Sequence, residues 1–331
     1  MNFETNSGYA NPLVYVAFKQ LVALDGKGGD SIAISLLNSL VPDFQSNPLQ
    51  SLESATLDIP IIVDHGMRPL QMDFHAVNSC GEHLILELQL RRHIFFDERI
   101  LFYATRTYSH QIDNQTLATG SWHKKLKKTY AIQILDYDSN KIIGISDPEV
   151  EDSLKERIAK HPMKTGNFIK HYLMTDRFSG QEIDHLQIIQ VELPRAESLD
   201  LFPPDKNFTE QRWWLSILNH SKEYTEEYIE KLYKEEIMPN TIYEGLGRIK
   251  LDKWTPNLLQ DYNREVAEIR EFYAPQIAMD MKDAEERGIA IGEERGKRET
   301  ALSMLADGMS VATVSKYTGL STKELEQLKA Q

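Results

Sequence analysis

The spacing of apolar residues divides the chain into a first part with both helical and strand patterns and a second part with helical patterns alone. Apolar residues at steps of three and four predict helices over residues 11–22, 32–40 and 97–112. Alternation of apolar and polar residues, or a short apolar run, predicts strands over residues 57–63, 70–77, 82–90, 129–136, 141–146, 172–176 and 183–193. Strands that alternate with helices predict an α/β core of roughly 195 residues.

After Pro203 and Pro204 the pattern is helical. A nearly unbroken helical stretch runs from Asn257 to Lys297, and a glycine recurs in it at every fourth position, at Gly288, Gly292 and Gly296. Such a smooth stripe lets another helix approach closely. Three short helices follow and are compatible with a helix-turn-helix, over residues 301–306, 311–317 and 322–329. We therefore expect three parts: a core at 1–202, a helical region at 203–298 and a helical tail at 299–331.

Composition and charge narrow the class of protein. Hydrophobic residues make up 41% and charged residues 26% of the chain, which are ordinary values for a globular protein. The net charge of -13 argues against a protein that coats nucleic acid, because nonspecific affinity for phosphates depends on Lys and Arg. The single cysteine, Cys80, excludes an intrachain disulfide and a cysteine zinc cluster. Since the sequence shows no signal peptide and no apolar run of about eighteen residues, we expect a soluble, cytoplasmic protein without a membrane segment.

Two acidic residues and an amide occupy neighbouring predicted strands. Asp73 lies in the strand 70–77, whereas Glu87 and Gln89 lie in the next strand and share one side of it, because side chains alternate with a period of two. A hairpin turn through residues 78–81 brings Asp73 beside them. Two carboxylates and an amide are the minimal equipment for holding a divalent metal ion against a phosphodiester. An ordinary half-buried strand predicts the same alternation, so the pattern alone leaves both interpretations open.

Basic and polar residues after these strands are candidates for contact with phosphate. Arg91 and Arg92 follow the third strand directly, and Lys124 and Lys125 begin a run of four lysines without an acid. The predicted helix 97–112 also carries a polar stripe at steps of four, consisting of Arg99, Tyr103, Thr107 and Gln111. Each of these groups either faces the candidate metal site or is a solvated surface.

The order of several short motifs resembles the Rpn family of recombination-promoting nucleases, which are also described as transposases, within the PD-(D/E)XK superfamily. The motifs are Asn11-Pro12-Leu13, Phe18-Lys19, Leu36-Leu37-Asn38, Asp73, Glu87-x-Gln89, Arg99-x-x-x-Tyr103, Tyr108-x-x-Gln111, Val191-Glu192-Leu193-Pro194, the glycines at every fourth position and the Gly-Met-Ser…Thr-Gly-Leu-Ser tail. The resemblance extends through most of the chain.

This resemblance implies a restriction-endonuclease-like core with a mostly helical C-terminal region. It also implies Mg²⁺-dependent cleavage of DNA in the setting of bacterial recombination. Asp73 corresponds to the aspartate of the second core strand and Glu87 to the acid of the third, so both are expected to bind the metal. Gln89 stands where most of the superfamily has Lys. Tyr15 stands where the family usually has an acid.

The resemblance further implies that Arg99, Tyr103 and Gln111 belong to the helix after the third strand. We expect them, together with the two basic pairs, to position DNA. We also expect a homo-oligomer, most simply a dimer, because a nuclease with one site commonly cuts both strands as two copies. The tail has as many acidic as basic residues in its last helix, so we expect it to pack or dimerise rather than to read DNA. The alternative is a catalytically degenerate relative that acts as a protein-interaction module.

Overall fold

The computed structural model describes residues 8–22, 31–61, 70–90, 96–112, 120–140, 152, 155–156, 158–160, 164, 166–306, 309–321 and 324–325. The predicted strand 141–146 lies outside these residues. The described chain forms two compact units, one from Asn2 to Glu268 and one from Ile269 to Gln331. Among the helices of all the described residues, none is both long enough and apolar enough to cross a membrane.

Within the described residues of the first unit, six strands form one mixed sheet in the order β1-β2-β3-β4-β6-β5. Their bounds are β1 Leu52–Ile61, β2 Leu70–Asn78, β3 His83–Gln89, β4 Thr129–Leu135, β5 Ile169–Thr175 and β6 Glu182–Glu192. The first three strands are antiparallel, β3, β4 and β6 run parallel, and β5 is antiparallel to β6. All seven residues of β4 are buried, as expected for a central parallel strand. The predicted α/β class is confirmed.

The hairpin between β2 and β3 fixes the register of the two strands. Gly81 has a φ of 77°, a left-handed conformation that favours glycine. Asn78 Oδ1 accepts from the main-chain N–H groups of Cys80 and Glu82 over 3.0 and 2.9 Å, which closes the turn. As a result Phe74 lies opposite Leu86, and the odd-numbered residues of both strands share one face of the sheet.

That face is covered by helix α4, Phe96–Ser109, which follows α1 Tyr15–Leu21, α2 Ser31–Leu40 and α3 Pro42–Ser46. Ile100, Tyr103 and Ala104 of α4 form one buried cluster with Ile85 of β3 and Ala131 of β4. The helix therefore lies across the parallel part of the sheet. Its acidic first turn, with Asp97 and Glu98, suits the positive end of the helix dipole.

The helices after the sheet are α5 Leu193–Ala196, α6 Glu210–His220, α7 Glu226–Lys234, α8 Asn240–Arg248 and α9 Pro256–Ala306. Trp214 of α6 is fully buried and donates through Nε1 to Ser35 Oγ of α2 over 2.7 Å. Gly245 of α8 packs so closely that a Cβ atom there would lie 3.1 Å from the Trp214 ring. Because α6 and α8 pack on α2, residue 202 lies within the compact unit from Asn2 to Glu268, and the three-part division of the chain stays a prediction.

The second unit contains the end of α9 and helix α10, Val311–Thr318. Ser310 caps α10 by accepting from the N–H of Thr313 over 3.2 Å, and Gly319 ends it with a φ of 75°. The core of this second unit contains Ala301, Val314, Leu320 and Leu325. The predicted helix 301–306 is the last part of α9 rather than a separate element. Of the predicted helix 322–329, only residues 324–325 lie among the described ones.

Candidate functional site

Asp73 and Glu87 lie side by side where β2 and β3 stop pairing through their backbones. The last main-chain pair of this ladder joins Phe74 to Leu86. One step further, the N–H of Asp73 donates to Glu87 Oε1 over 3.1 Å, and the N–H of Leu88 donates to Asp73 Oδ2 over 2.8 Å. Each carboxylate thus binds a main-chain N–H group of the other strand. The structure brings together the two acids that the hairpin was expected to join.

Burial makes Glu87 an unusual carboxylic acid. Its side chain is 1% exposed. This burial raises the pKa of Glu87 to about 8, and the charge of Asp73 raises it further, whereas Arg99 and the N–H of Asp73 lower it. At neutral pH the pair therefore tends to keep a proton on Glu87. A cation bound between the two carboxylates would favour release of this proton.

Arg99 reaches the acidic pair from the first turn of α4. Its Nη2 lies 3.4 Å from Glu87 Oε2, and its Nε donates to the hydroxyl of Tyr103 over 3.0 Å. Tyr103 is buried, so its ring and hydroxyl fix the stem of the arginine; the guanidinium lies 5.3 Å from the ring centroid. The Arg99 side chain is still 40% exposed. The first part of the polar stripe therefore faces the acidic pair rather than water alone.

Gln89 is the last residue of β3 and lies on the same side of the sheet as Glu87. Its main-chain oxygen accepts from the N–H of Asp136 over 3.0 Å, which continues the pairing between β3 and the chain after β4. As an amide, Gln89 offers donors and an acceptor but no positive charge. Among the described residues, Arg99 is a cationic group in contact with Glu87.

The structure does not bring Gln111 to the acidic pair. Its Oε1 accepts from the N–H of Lys127 over 2.7 Å, and its Nε2 donates to the Lys127 oxygen and to Thr129 Oγ1 over 3.0 and 3.1 Å. Gln111 thus ties the end of α4 to the start of β4. Ser109, where α4 ends just before Gln111, is about 15 Å from Arg99 along the helix, since an α-helix rises 1.5 Å per residue.

The lysine pair also lies away from the acids. Lys124 ends a short 3₁₀ helix, Trp122–Lys124, and both it and Lys125 are exposed just before β4 begins. Because β3 and β4 are parallel, this is the end of the sheet where β3 begins, whereas Glu87 is near the end of β3. Arg91 and Arg92 lie outside the described residues.

Tyr15, where the resemblance leads one to expect an acid, begins helix α1. Its main-chain N–H donates to Glu265 Oε1 over 2.7 Å, and that of Val16 donates to Glu265 Oε2 over 3.0 Å. Helix α9 thus supplies a carboxylate to the positive end of α1. The Lys19 ammonium lies 4.5 Å from the centroid of the Tyr15 ring.

Three polar residues that follow one another across the sheet from Glu87, namely Gln133, Gln190 and Asp97, were not predicted from the sequence. Gln133 of β4 lies directly beside Glu87 in the register of the sheet, and Gln190 of β6 lies beside Gln133. Gln190 Nε2 donates to Asp97 Oδ1 of α4 over 3.1 Å. The signal was one glutamine in the mostly apolar strand β4 and two glutamines among the charged and apolar residues of β6, which is weak by itself.

The donor set of this site consists of two carboxylates. Among the residues that the structure describes, no group of three or more His, Cys, Asp or Glu side chains is arranged to hold a metal ion. Magnesium in proteins is commonly held by one or two carboxylates and several water molecules. Asp73 and Glu87 supply two neighbouring carboxylates of this kind.

Two family models match the chain. A family model described as "PD-(D/E)XK nuclease family transposase" matches residues 12–266, which include every strand of the sheet. A second, described as "Rpn/YhgA-like nuclease family, C-terminal HTH domain", matches residues 295–330. No curated protein and no solved structure matches the chain. The first match covers well over half of the 331 residues.

Proposed function

Because the chain belongs to the PD-(D/E)XK nuclease family of transposases and carries an Rpn-like C-terminal helix-turn-helix domain, we propose that it is a metal-dependent DNA endonuclease that acts in DNA recombination. The observation that supports this most is the contact of Asp73 with Glu87 beside Arg99. The reaction is hydrolysis of a phosphodiester bond, and the cofactor is Mg²⁺ or another divalent cation.

Asp73 and Glu87 are the residues proposed to hold the metal. When bound, the ion would supply hydroxide at neutral pH by lowering the pKa of a water molecule, and it would stabilise charge on the phosphate. Glu87 must first lose its proton, which its burial and Asp73 oppose and which a cation favours. Gln89 orients water through its amide, since it can both donate and accept.

Arg99 takes the part that Lys has in most of the superfamily. Its contact with Glu87 is 3.4 Å, which is long for a charge-assisted hydrogen bond, and the side chain is partly exposed. It can therefore donate to a phosphate oxygen while Tyr103 holds its Nε. A guanidinium suits this task because its donors match the geometry of phosphate oxygens.

DNA binding involves further residues in this proposal. Lys124 and Lys125 contact the phosphate backbone of DNA at the far end of the sheet. Arg91 and Arg92 are nearer to Asp73 and Glu87 in the sequence. Gln111 acts indirectly by holding α4 to the start of β4. The C-terminal unit adds a second DNA contact or joins two copies into a dimer, which would cut both strands. Light scattering on the full chain and on a chain that ends at residue 280 tests whether that unit makes the dimer.

The test of the activity is nicking of supercoiled plasmid with Mg²⁺, with EDTA as the metal-free reference. Glu87→Gln keeps an acceptor oxygen for the N–H of Asp73 but cannot ionise, so nicking should be lost. Asp184→Asn is the matched control, because Asp184 is a carboxylate of the same sheet that pairs with Lys128 at the other end. Unchanged nicking by Glu87→Gln would contradict the assignment.

A second function is supported by the same hydrogen bonds. The oxygens Asp73 Oδ2 and Glu87 Oε1 each bind a main-chain N–H, so the acids also stabilise the sheet without a metal. Together with Gln89 and Tyr15, this supports a non-catalytic relative that serves as an interaction module. Folded wild-type protein that neither binds Mg²⁺ in calorimetry nor nicks plasmid would favour this second function.

A further inference from the structure

A row of polar side chains crosses the sheet from Glu87 beneath the first turn of α4. Glu87 of β3 lies opposite Gln133 of β4, and Gln133 lies opposite Gln190 of β6. Partners in register point to the same face, so the three side chains follow one another across three strands. The two glutamines are 2% and 3% exposed. A buried amide is costly unless it is hydrogen-bonded, so their bonds define their orientation.

Gln190 is held by three hydrogen bonds. Its Nε2 donates to Asp97 Oδ1 and to Gln133 Oε1, each over 3.1 Å. Its Oε1 accepts from the hydroxyl of Tyr172 over 3.3 Å. A carboxylate can only accept, so the end of the Gln190 amide that faces Asp97 is the nitrogen. The other end is the oxygen, which accepts from the hydroxyl of Tyr172.

The orientation of Gln190 determines that of Gln133. Because Gln133 Oε1 accepts from Gln190, the oxygen end of this planar amide faces β6. The two ends of an amide diverge, so Nε2 is left available on the side of β3, where Glu87 lies in the neighbouring strand. Neighbouring strands are about 4.8 Å apart, which is within reach of a glutamine side chain.

We propose that Gln133 is a positioning residue of the metal site, which donates through Nε2 to the Glu87 carboxylate when a divalent cation is bound there. Gln190 and Asp97 set its orientation, and Asp97 lies two residues before Arg99 in the same helical turn. One set of hydrogen bonds thus orders both the metal ligand and the arginine. The inference rests on the proposed metal-dependent function and adds residues that act through Glu87.

The experiment compares three glutamine-to-methionine variants, because methionine has a similar volume and no amide. Gln133→Met and Gln190→Met remove the donor and the group that orients it. Gln187→Met is the matched control: Gln187 is 1% exposed in the same strand as Gln190, but it binds Asp43 over 2.9 Å and His171 over 2.6 Å on the other face of the sheet. All three variants lose a buried amide, so similar reductions in melting temperature are expected.

The distinguishing measurement is the Mg²⁺ dissociation constant from calorimetry, with plasmid nicking as a second readout. Loss of a residue that orients a metal ligand typically weakens metal affinity 10- to 100-fold. We expect a weakening of that size for Gln133→Met and Gln190→Met, an unchanged KM for DNA, and a change of less than about twofold for Gln187→Met. If Gln133→Met does not fold, Gln190→Met alone gives the comparison.

Two negative results have different meanings. Equal Mg²⁺ affinity in Gln190→Met and Gln187→Met, in a wild-type background that binds Mg²⁺ and nicks plasmid, would overturn the role of Gln133 and leave the nuclease proposal intact. Absence of both Mg²⁺ binding and nicking in folded wild-type protein would overturn the metal-dependent function, and the positioning role with it.

Discussion

The main-chain N–H of Asp73 donates to the carboxylate of Glu87 over 3.1 Å, at the place where β2 and β3 end their backbone pairing. The Asp73 carboxylate in turn accepts from the N–H of Leu88 over 2.8 Å. Each acid therefore has a structural role as an acceptor and a proposed chemical role as a charge. Amide substitutions separate the two roles, since an amide oxygen still accepts but carries no charge.

Asp73→Asn is expected to fold and to lose activity. Its amide oxygen can still accept from the N–H of Leu88, so we expect the melting temperature to change by only a few degrees. Removal of one of two metal-binding carboxylates should lower plasmid nicking by roughly 100-fold or more. Nicking rates at saturating Mg²⁺ and melting curves from circular dichroism measure the two effects.

The control for this prediction is Asp184→Asn, which removes a carboxylate paired with Lys128 and should leave the nicking rate unchanged. A rate for Asp73→Asn equal to that of wild type would show that Asp73 is a structural acceptor only. Asp73→Ala, which also removes the acceptor, should then differ from Asp73→Asn in stability and not in activity.

Glu87 should make the stability of the metal-free protein depend on pH. Its pKa is raised from an ordinary value of 4.5 to about 8, first by burial and then by Asp73. Between these values the folded protein holds a proton that the unfolded chain has lost. The contribution is therefore complete below about pH 4.5 and is lost as the pH rises through about 8. The loss should be on the order of a few kcal/mol in the free energy of unfolding.

The measurement is denaturant unfolding of wild type and Glu87→Gln in EDTA at pH 6 and pH 9. The difference between the two proteins isolates Glu87, because the lowered pKa of His75, about 4, and the raised pKa of Asp136, about 7, contribute equally to both. Wild type should lose stability relative to Glu87→Gln at the higher pH. A difference that stays constant across this range would show that Glu87 titrates normally.

The sequence predicted the Asp73 and Glu87 contact because it depends on local features. Alternation sets the faces of the two strands, and the turn residues Asn78 and Gly81 set the register between them. β1 begins five residues before its predicted start at residue 57, because its pairing continues to Leu52 opposite Asn78. Such pairing depends on the partner strand, so the residues of one strand do not reveal its ends.

Other features depend on how helices and strands pack together in the tertiary structure, which no local sequence pattern predicts. A polar stripe on α4 was visible, but only the position of the helix on the sheet directs Arg99 to Glu87 and Gln111 to Lys127. Gln133 is one glutamine in the mostly apolar β4, and Gln190 lies in β6 together with Gln187 and several charged residues. Their relation to each other follows from the parallel pairing of β4 with β6 across more than fifty residues of sequence.

Arg99→Met should separate catalysis from metal binding. The guanidinium contacts Glu87 and is proposed to donate to a phosphate oxygen, so its loss should lower the nicking rate about 10²- to 10³-fold. Mg²⁺ affinity should not fall, because Arg99 is a cation beside the site rather than a ligand of the metal. Nicking assays and calorimetry on the same preparation give both values.

Arg106→Met is the matched control for Arg99, since Arg106 is an exposed arginine in the last turn of the same helix. We expect it to retain wild-type nicking. If both arginine variants reduce the nicking rate equally, general attraction of DNA by positive charge explains the effect, and a specific role of Arg99 at the phosphate is contradicted.

Two glycine-to-alanine substitutions should have opposite effects on stability. A Cβ atom at Gly245 would lie 3.1 Å from the Trp214 ring and 3.5 Å from side-chain atoms of both Ile32 and Leu21. Overpacking of this kind costs about 1–3 kcal/mol. Gly296 lies within α9 with no atom within 4 Å of such a Cβ, so alanine should stabilise that helix by up to about 1 kcal/mol. Thermal melts measure the loss of stability in Gly245→Ala, and helix content from circular dichroism measures the gain in Gly296→Ala.

A Gly245→Ala protein as stable as wild type would show that α2, α6 and α8 can separate without cost. A wild-type chain that is dimeric in light scattering and becomes monomeric on Gly296→Ala would indicate that the glycine stripe joins two copies of the chain.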